Sequence, residues 1–294
     1  MGLNALISGS QLLSATFRSD LTPIPATLEL NVQSSADLDK ALVEGAELLV
    51  GEPALSMVIV KRQDLKSMAI KEGSRVGGIA VLAVLKGFER LLSKSNHAIV
   101  LQQTSFGAAL RAMGVKARVS DDMPLPEFIC LKGQLATERM ARYLQQEAAV
   151  LRLNPNGSIS FIKLDTLMKG LPIAKYDPSA VVWVNNPKIE AQKKPSYYSV
   201  NADGSTIENE NPSDDRGLLY LPRLDTRQLK NMEKVLIHRG TLVRPLDSKL
   251  FSGNVVEIDK KNYVILTGAM RIDTGSLGGA SAMVSKVWLS SLQA

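Results

Sequence analysis

The chain holds few residues equipped for chemistry. One run, Ile272-Asp273-Thr274-Gly275-Ser276, sets a carboxylate beside a hydroxyl and a glycine turn. An aspartic protease uses such a segment twice, so that two carboxylates share one proton and activate water. The pair is needed because like charges in contact cannot both ionise. Here the run occurs once, and Arg271 stands where those enzymes prefer an apolar residue. A homodimer could supply a second copy, but dimeric enzymes of that type are much shorter chains. The residues read more simply as a strand ending in a glycine turn, and Asp273 carries only the alternative, enzymatic reading.

Histidine and cysteine add little. His97 precedes a strand. His238 is expected at a helix C-terminus, where the dipole favours a cation. With Cys130 the only cysteine, no zinc-ligand spacing exists. Cys130 lies in Phe128-Ile129-Cys130-Leu131, an apolar stretch expected in the core, and a buried thiol is usually inert. Gly275, Gly278 and Gly279 form a glycine-rich loop, but a dinucleotide fingerprint needs a helix after it and here a strand follows. The Gly-x-Ser-x-Gly elbow is absent, and no acidic pair is spaced to mark a glycosidase. The sequence therefore assigns no catalytic, cofactor-binding or metal-binding residue, and the chain is expected not to be an enzyme.

Composition narrows the classes further. The chain has 294 residues, 45% hydrophobic, enough for a sizeable core in more than one domain. A single cysteine excludes an intramolecular disulfide and fits folding in a reducing cytosol. The net charge of +6 is dispersed, with Lys193-Lys194 and Lys260-Lys261 the densest pairs. That pattern fits a solvated surface or an acidic protein neighbour better than specific nucleic-acid binding. Aromatics are 5% of the chain, too few for an extended base-stacking platform. The N-terminus lacks the basic start of a secretory signal, and Leu6 stands where a myristoylation motif wants Ser or Thr. The longest apolar run, Ile79 to Leu85, is far short of the roughly 20 residues of a membrane helix, so no membrane segment is expected.

The positioning elements are mostly strands. Thr27 to Val32 alternates apolar Leu28, Leu30 and Val32 with polar partners, a half-buried strand. Ser14 to Leu21, Leu55 to Lys61, Arg75 to Lys86 and Ala98 to Gln102 are further candidates. The middle changes period. Thr104 or Ser105 caps a short helix with Phe106, Leu110 and Met113 on one face, and Gly114 stops it. A second helix runs from about Leu135 to Ala148. A hairpin follows, with the turn Asn154-Pro155-Asn156-Gly157 and a positive φ expected at the glycine. Val181 to Val184 and Ser196 to Val200 read as strands. Asn201 to Arg216 reads as a mobile polar loop. Thr226 is expected to cap a helix carrying Leu229, Met232, Val235 and Leu236. Strands at Thr241 to Leu246, Val255 to Ile258, Tyr263 to Arg271 and Ala282 to Leu289 close the chain.

In order, these segments resemble the central tail hub, or baseplate hub, of contractile-tailed phages and related contractile injection systems. Phe17-Arg18-Ser19-Asp20-Leu21-Thr22-Pro23-Ile24-Pro25 is similar to the opening of a first hub barrel. Gly133-Gln134-Leu135-Ala136-Thr137-Glu138, with the helix and hairpin after it, resembles the hub helix and its Pro-x-Gly turn. Gly253-Asn254-Val255-Val256-Glu257-Ile258, Tyr263-Val264-Ile265 and Val287-Trp288-Leu289 resemble the closing strands of a second barrel. The resemblance implies a mainly β fold with an α+β insert: two antiparallel β-barrels, at residues 1–102 and 171–294, around a unit at 103–170. The second barrel would carry a loop and helix at about 201–238. It implies a structural homotrimer in the virion tail baseplate, assembled in the host cytoplasm. That trimer would join the hexameric tail tube, or its initiator, to the trimeric spike and other baseplate proteins around a channel. No cofactor is implied. Another tail component, such as a tube initiator, is the alternative within the same machine.

Overall fold

The computed structural model describes residues 7–51, 54–65, 70–71, 74–75, 77–184, 196–201, 203–208, 218–276 and 280–293. β1 (Leu12–Asp20) and β2 (Ala26–Gln33) make the first hairpin. α1 (Ala36–Ala41) leads to β3 (Glu47–Val50) and β4 (Leu55–Leu65). The short strands β5 (Ile70–Lys71) and β6 (Ser74–Arg75) pair with each other before β7 (Gly78–Leu85). The middle holds β8 (Ile99–Ser105), α2 (Phe106–Ala112), β9 (Val119–Asp121), β10 (Pro124–Cys130), α3 (Ala136–Gln146), β11 (Ala149–Leu153), β12 (Ile159–Lys163) and α4 (Leu164–Met168). β13 (Pro172–Tyr176), β14 (Val181–Trp183), β15 (Ser196–Val200), β16 (Thr206–Glu208) and β17 (Leu218–Tyr220) follow. α5 (Thr226–Glu233), β18 (Val235–Pro245), β19 (Val255–Ile258), β20 (Lys261–Asp273) and β21 (Ala282–Gln293) complete the order.

The fold is mainly β with an α+β unit, as the sequence reading expects. Its main sheet is an open series and not a closed barrel. Among the described residues eleven strands join it, in the order β14-β18-β21-β20-β1-β2-β7-β4-β3, with β19 and β13 branching from β20. β1 is the hinge of that order. It pairs antiparallel with β2 on one side and with β20 on the other, so the two ends of the chain share one ladder.

Burial follows the alternation read from the sequence. In β2, Ala26, Leu28, Leu30 and Val32 are buried while Glu29 is exposed. One apolar cluster runs from Phe17 through Met57, Ile79 and Phe88 to Phe128, Leu151 and Phe161. The first strands and the middle unit thus share a core. Each large side chain fully buried there contributes about 1.5–3 kcal/mol of hydrophobic stabilisation. A second cluster, with Leu242, Ile258, Ile265 and Val287, lies among the C-terminal strands. A third bridges them, with Leu21, Val150, Leu164 and Val264.

Local chemistry sets the turns. Ser105 accepts from the Ala108 N–H at the start of α2. At the β11–β12 turn the Gly157 N–H donates to the Asn154 carbonyl at 2.9 Å, and Gly157 has φ +77°. Four expectations are corrected. Asp225, not Thr226, caps α5: its carboxylate accepts from Gln228 N–H at 2.7 Å, and Gln228 reciprocates. His238 lies inside β18 and not at a helix end, because α5 stops at Glu233 and Val235-Leu236-Ile237 continue extended. Arg75 belongs to the small β5–β6 pair, apart from β7. Of the span read as a loop, Asn201 and 203–208 form the turn and second strand of a β15–β16 hairpin. Residues 209–216 lie outside the described residues, as do Gly278, Gly279, Lys193 and Lys194.

Candidate assembly surface

Asp273 ends β20. Arg271 Nη2 donates to its Oδ2 at 2.8 Å, and the Gly275 N–H donates to Oδ1 at 3.1 Å. The guanidinium, helped by that N–H, holds the carboxyl below its ordinary value, so it stays ionised and paired. The next residue does structural work. Thr274 Oγ1 donates toward the Leu12 and Leu13 carbonyls, and its N–H donates to Leu13. The Asp-Thr-Gly run therefore fastens the end of β20 to the start of β1.

The other chemically able residues are not brought into one centre. Cys130 is fully buried, and burial pushes its thiol upward, away from the reactive thiolate. His97 is exposed beside Asn96. His238 Nε2 donates to the Gly240 carbonyl at 3.0 Å, at the bulge where β18 shifts register against β21. Among the described residues no cluster of three or more His, Cys, Asp or Glu could hold a metal ion. Among the same residues no helix is long and apolar enough to cross a membrane.

What the fold does build is a surface. Strand register places Pro245, Val284, Arg271, Thr16, Glu29, Leu82 and Lys61 in one cross-strand row over seven strands. Directly opposed residues share a sheet face, so the row crosses the junction between the two ends of the chain without a break. Its neighbours include two ion pairs, Arg18–Asp20 and Arg271–Asp273, both at 2.8 Å. Lys286 Nζ sits 5.0 Å from the Trp288 ring centre on a parallel row.

Among the described residues the sheet has three free edges, at β13, β3 and β14, and the last two carry its most exposed apolar side chains. β3 pairs only with β4, and its Leu49 is 74% exposed. β14 pairs only with β18, and its Val182 is 73% exposed. An unpaired edge bearing an exposed apolar side chain is a template for another strand. Neither edge was singled out from the sequence. Alternation marks a strand, and the sheet order that makes it an edge is set by partners far away in the chain.

No family model matches the chain, and no curated protein matches it. Solved structures do. A tail protein from Neisseria meningitidis MC58 matches with TM-score 0.65 at 9% identity, over 96% of this chain and 92% of that one. The 43 kDa tail protein of prophage MuSo2 from Shewanella oneidensis matches with TM-score 0.62 at 9% identity, over 95% and 94%. The Escherichia coli c3393 protein is described as a type VI secretion component similar to the T4 tail proteins gp27 and gp5. It matches with TM-score 0.57 at 11% identity, over 97% of this chain and 75% of that one. The chain has the fold of these phage-tail and secretion-system proteins along nearly its whole length.

Proposed function

We propose that this protein is a structural subunit of a phage tail or a related contractile injection machine, and that it acts there as the baseplate hub. The observation that carries the reading is the open sheet, with both chain ends in one ladder and a free strand edge at each end. Pairing of the β3 edge of one copy with the β14 edge of the next is head-to-tail, and such contacts close into a ring when the rotation between copies returns to its start. Three copies make the ring. Each contributes an N-terminal β unit at 1–102 and a C-terminal one at 171–294, with 103–170 set between them. Six β units then meet the hexameric tail tube or its initiator, while the threefold symmetry meets the spike. The charged and polar rows around Arg18 and Arg271 suit a wall facing water. The protein is not an enzyme in this role. Asp273 pairs with Arg271, whereas a protease dyad pairs its carboxylate with a second one through a shared proton. Its place is the tail baseplate of the particle, after assembly in the host cytoplasm.

Light scattering and low-resolution imaging of the full chain test the proposal. Alone or co-expressed with tube and spike proteins of the same particle, it should give a mass near three times 31.8 kDa and a threefold ring. A monomer under both conditions would count decisively against the hub.

A further inference from the structure

The observations reach furthest at a cleft of about 870 Å³ beside the middle unit. Its floor is apolar, built from Leu85, Ile99, Met113 and Ala136. Its rim carries Arg90, Lys94, Lys116 and Arg118, all exposed. Among the described residues none of these four has an ion-pair partner. Lys86, also on the rim, is neutralised by Glu47. Among the described lining residues Glu89 is the one carboxylate, and its Oε2 already accepts the Gly87 N–H at 2.7 Å. The rim is held by structure. Buried Phe88 and Leu91 anchor the short 3-10 helix Phe88–Leu92 that bears Arg90, and Gly87 and Gly114 turn the chain with φ +92° and +91°.

Four unpaired cations around one concavity repel one another, and an anionic guest offsets that repulsion. Two features separate guest classes. Single-stranded nucleic acid binds through base stacking, and among the described lining residues His97 carries the only aromatic ring. An apolar floor under a cationic rim instead matches a chain carrying both apolar and acidic side chains. We propose that this cleft docks an extended segment of a partner protein in which acidic and apolar side chains alternate. The inference goes beyond the hub reading and needs only a single chain.

The test uses the full-length protein and a fluorescein-labelled ten-residue peptide of alternating Glu and Leu, followed by anisotropy. A Glu/Ser peptide of the same charge and an oligothymidine form the other arms. The Glu/Leu peptide should bind saturably and more tightly than both, and binding should weaken as salt rises. Arg90→Glu with Lys116→Glu should weaken it about tenfold. Lys40→Glu with Lys169→Glu, the same charge change on exposed lysines outside the cleft, should change it less than about twofold. Should the first pair fail to fold, Lys94→Gln with Arg118→Gln replaces it. Equal loss in cleft and control variants, tighter binding of the oligonucleotide, or no saturable binding would each overturn the proposal. The mass of the free chain, measured in parallel, reports on the ring separately.

Discussion

Gly268 sits where β20 passes beneath the Leu250 carbonyl, and a Cβ there would lie 2.2 Å from that oxygen. The obstacle is backbone, so no rotamer change relieves it. Gly268→Ala should cost about 2–4 kcal/mol, read as a drop in the urea midpoint of unfolding. Gly157 tests a different cause: its φ of +77° strains any side chain, and Leu55 Cδ2 stands 3.3 Å from the Cβ position. Gly157→Val should cost about 1–3 kcal/mol, and an unchanged midpoint would remove the turn argument. Asn-Pro-Asn-Gly announces Gly157 in the sequence. Nothing announces Gly268, because its constraint comes from another segment crossing over it. Asp273 is a third residue-scale case. Arg271 depresses its folded pKa, so its contribution is present above the ordinary carboxylate value of about 3.9. That contribution is lost as pH falls through the folded pKa. Wild-type and Asp273→Asn midpoints should therefore differ at neutral pH and converge in acid; a constant gap would show that the pair plays no part.

α5 shows what a helix of eight residues needs from its surroundings. Isolated, it is too short to be stable. Its Asp225–Gln228 capping box satisfies the first N–H groups, and Leu229 and Met232 are buried in a small cluster. Arg227 grips Glu147, the residue after α3, with both ends of its guanidinium, the Nη2–Oε1 contact being 2.8 Å. Asn231 Nδ2 donates to the Gln146 carbonyl at 3.0 Å, and Lys234 pairs with Asp165. Glu147 is only 4% exposed at its side chain while Arg227 is 47% exposed. Arg227→Ala therefore strands a buried carboxylate, but water reaches the site. The expected cost is about 1–2 kcal/mol, well under that of a fully buried pair. Hydrogen exchange should show α5 amides opening sooner, and unchanged protection would mean that apolar contacts alone dock the helix. The helix itself was legible from the spacing of Leu229 and Met232. Its end was not. Val235 and Leu236 continue the helical spacing, yet the pairing of Val235 with Gln293 and Leu236 with Leu292 draws them into β18. Tertiary hydrogen bonding overrides a local pattern that both states satisfy.

At the scale of the molecule, most strands of the main sheet were legible and, outside the β11–β12 hairpin, their neighbours were not. β2 and β19 stand out by composition, but no local signal says that Thr16 lies opposite Arg271, or that this pairing makes one open sheet of both chain ends. Whether that sheet closes into a ring depends on its free edges, and these are open to direct change. Leu49 and Val182 are 74% and 73% exposed, so replacing either with lysine removes little burial. Unfolding should stay within about 0.5 kcal/mol of wild type. A lysine on an edge strand, however, opposes the approach of another strand, because its charge must be desolvated there. If copies join edge to edge, Leu49→Lys and Val182→Lys should each reduce the three-copy species, and together they should leave a folded monomer. The head-to-tail geometry adds a sharper test. If each contact uses one β3 and one β14, a chain carrying Leu49→Lys alone, mixed with wild type, should join through its intact β14 edge, cap growing assemblies and stop rings from closing. Intact rings from doubly substituted chains would show that the subunits meet through another surface, such as the middle unit.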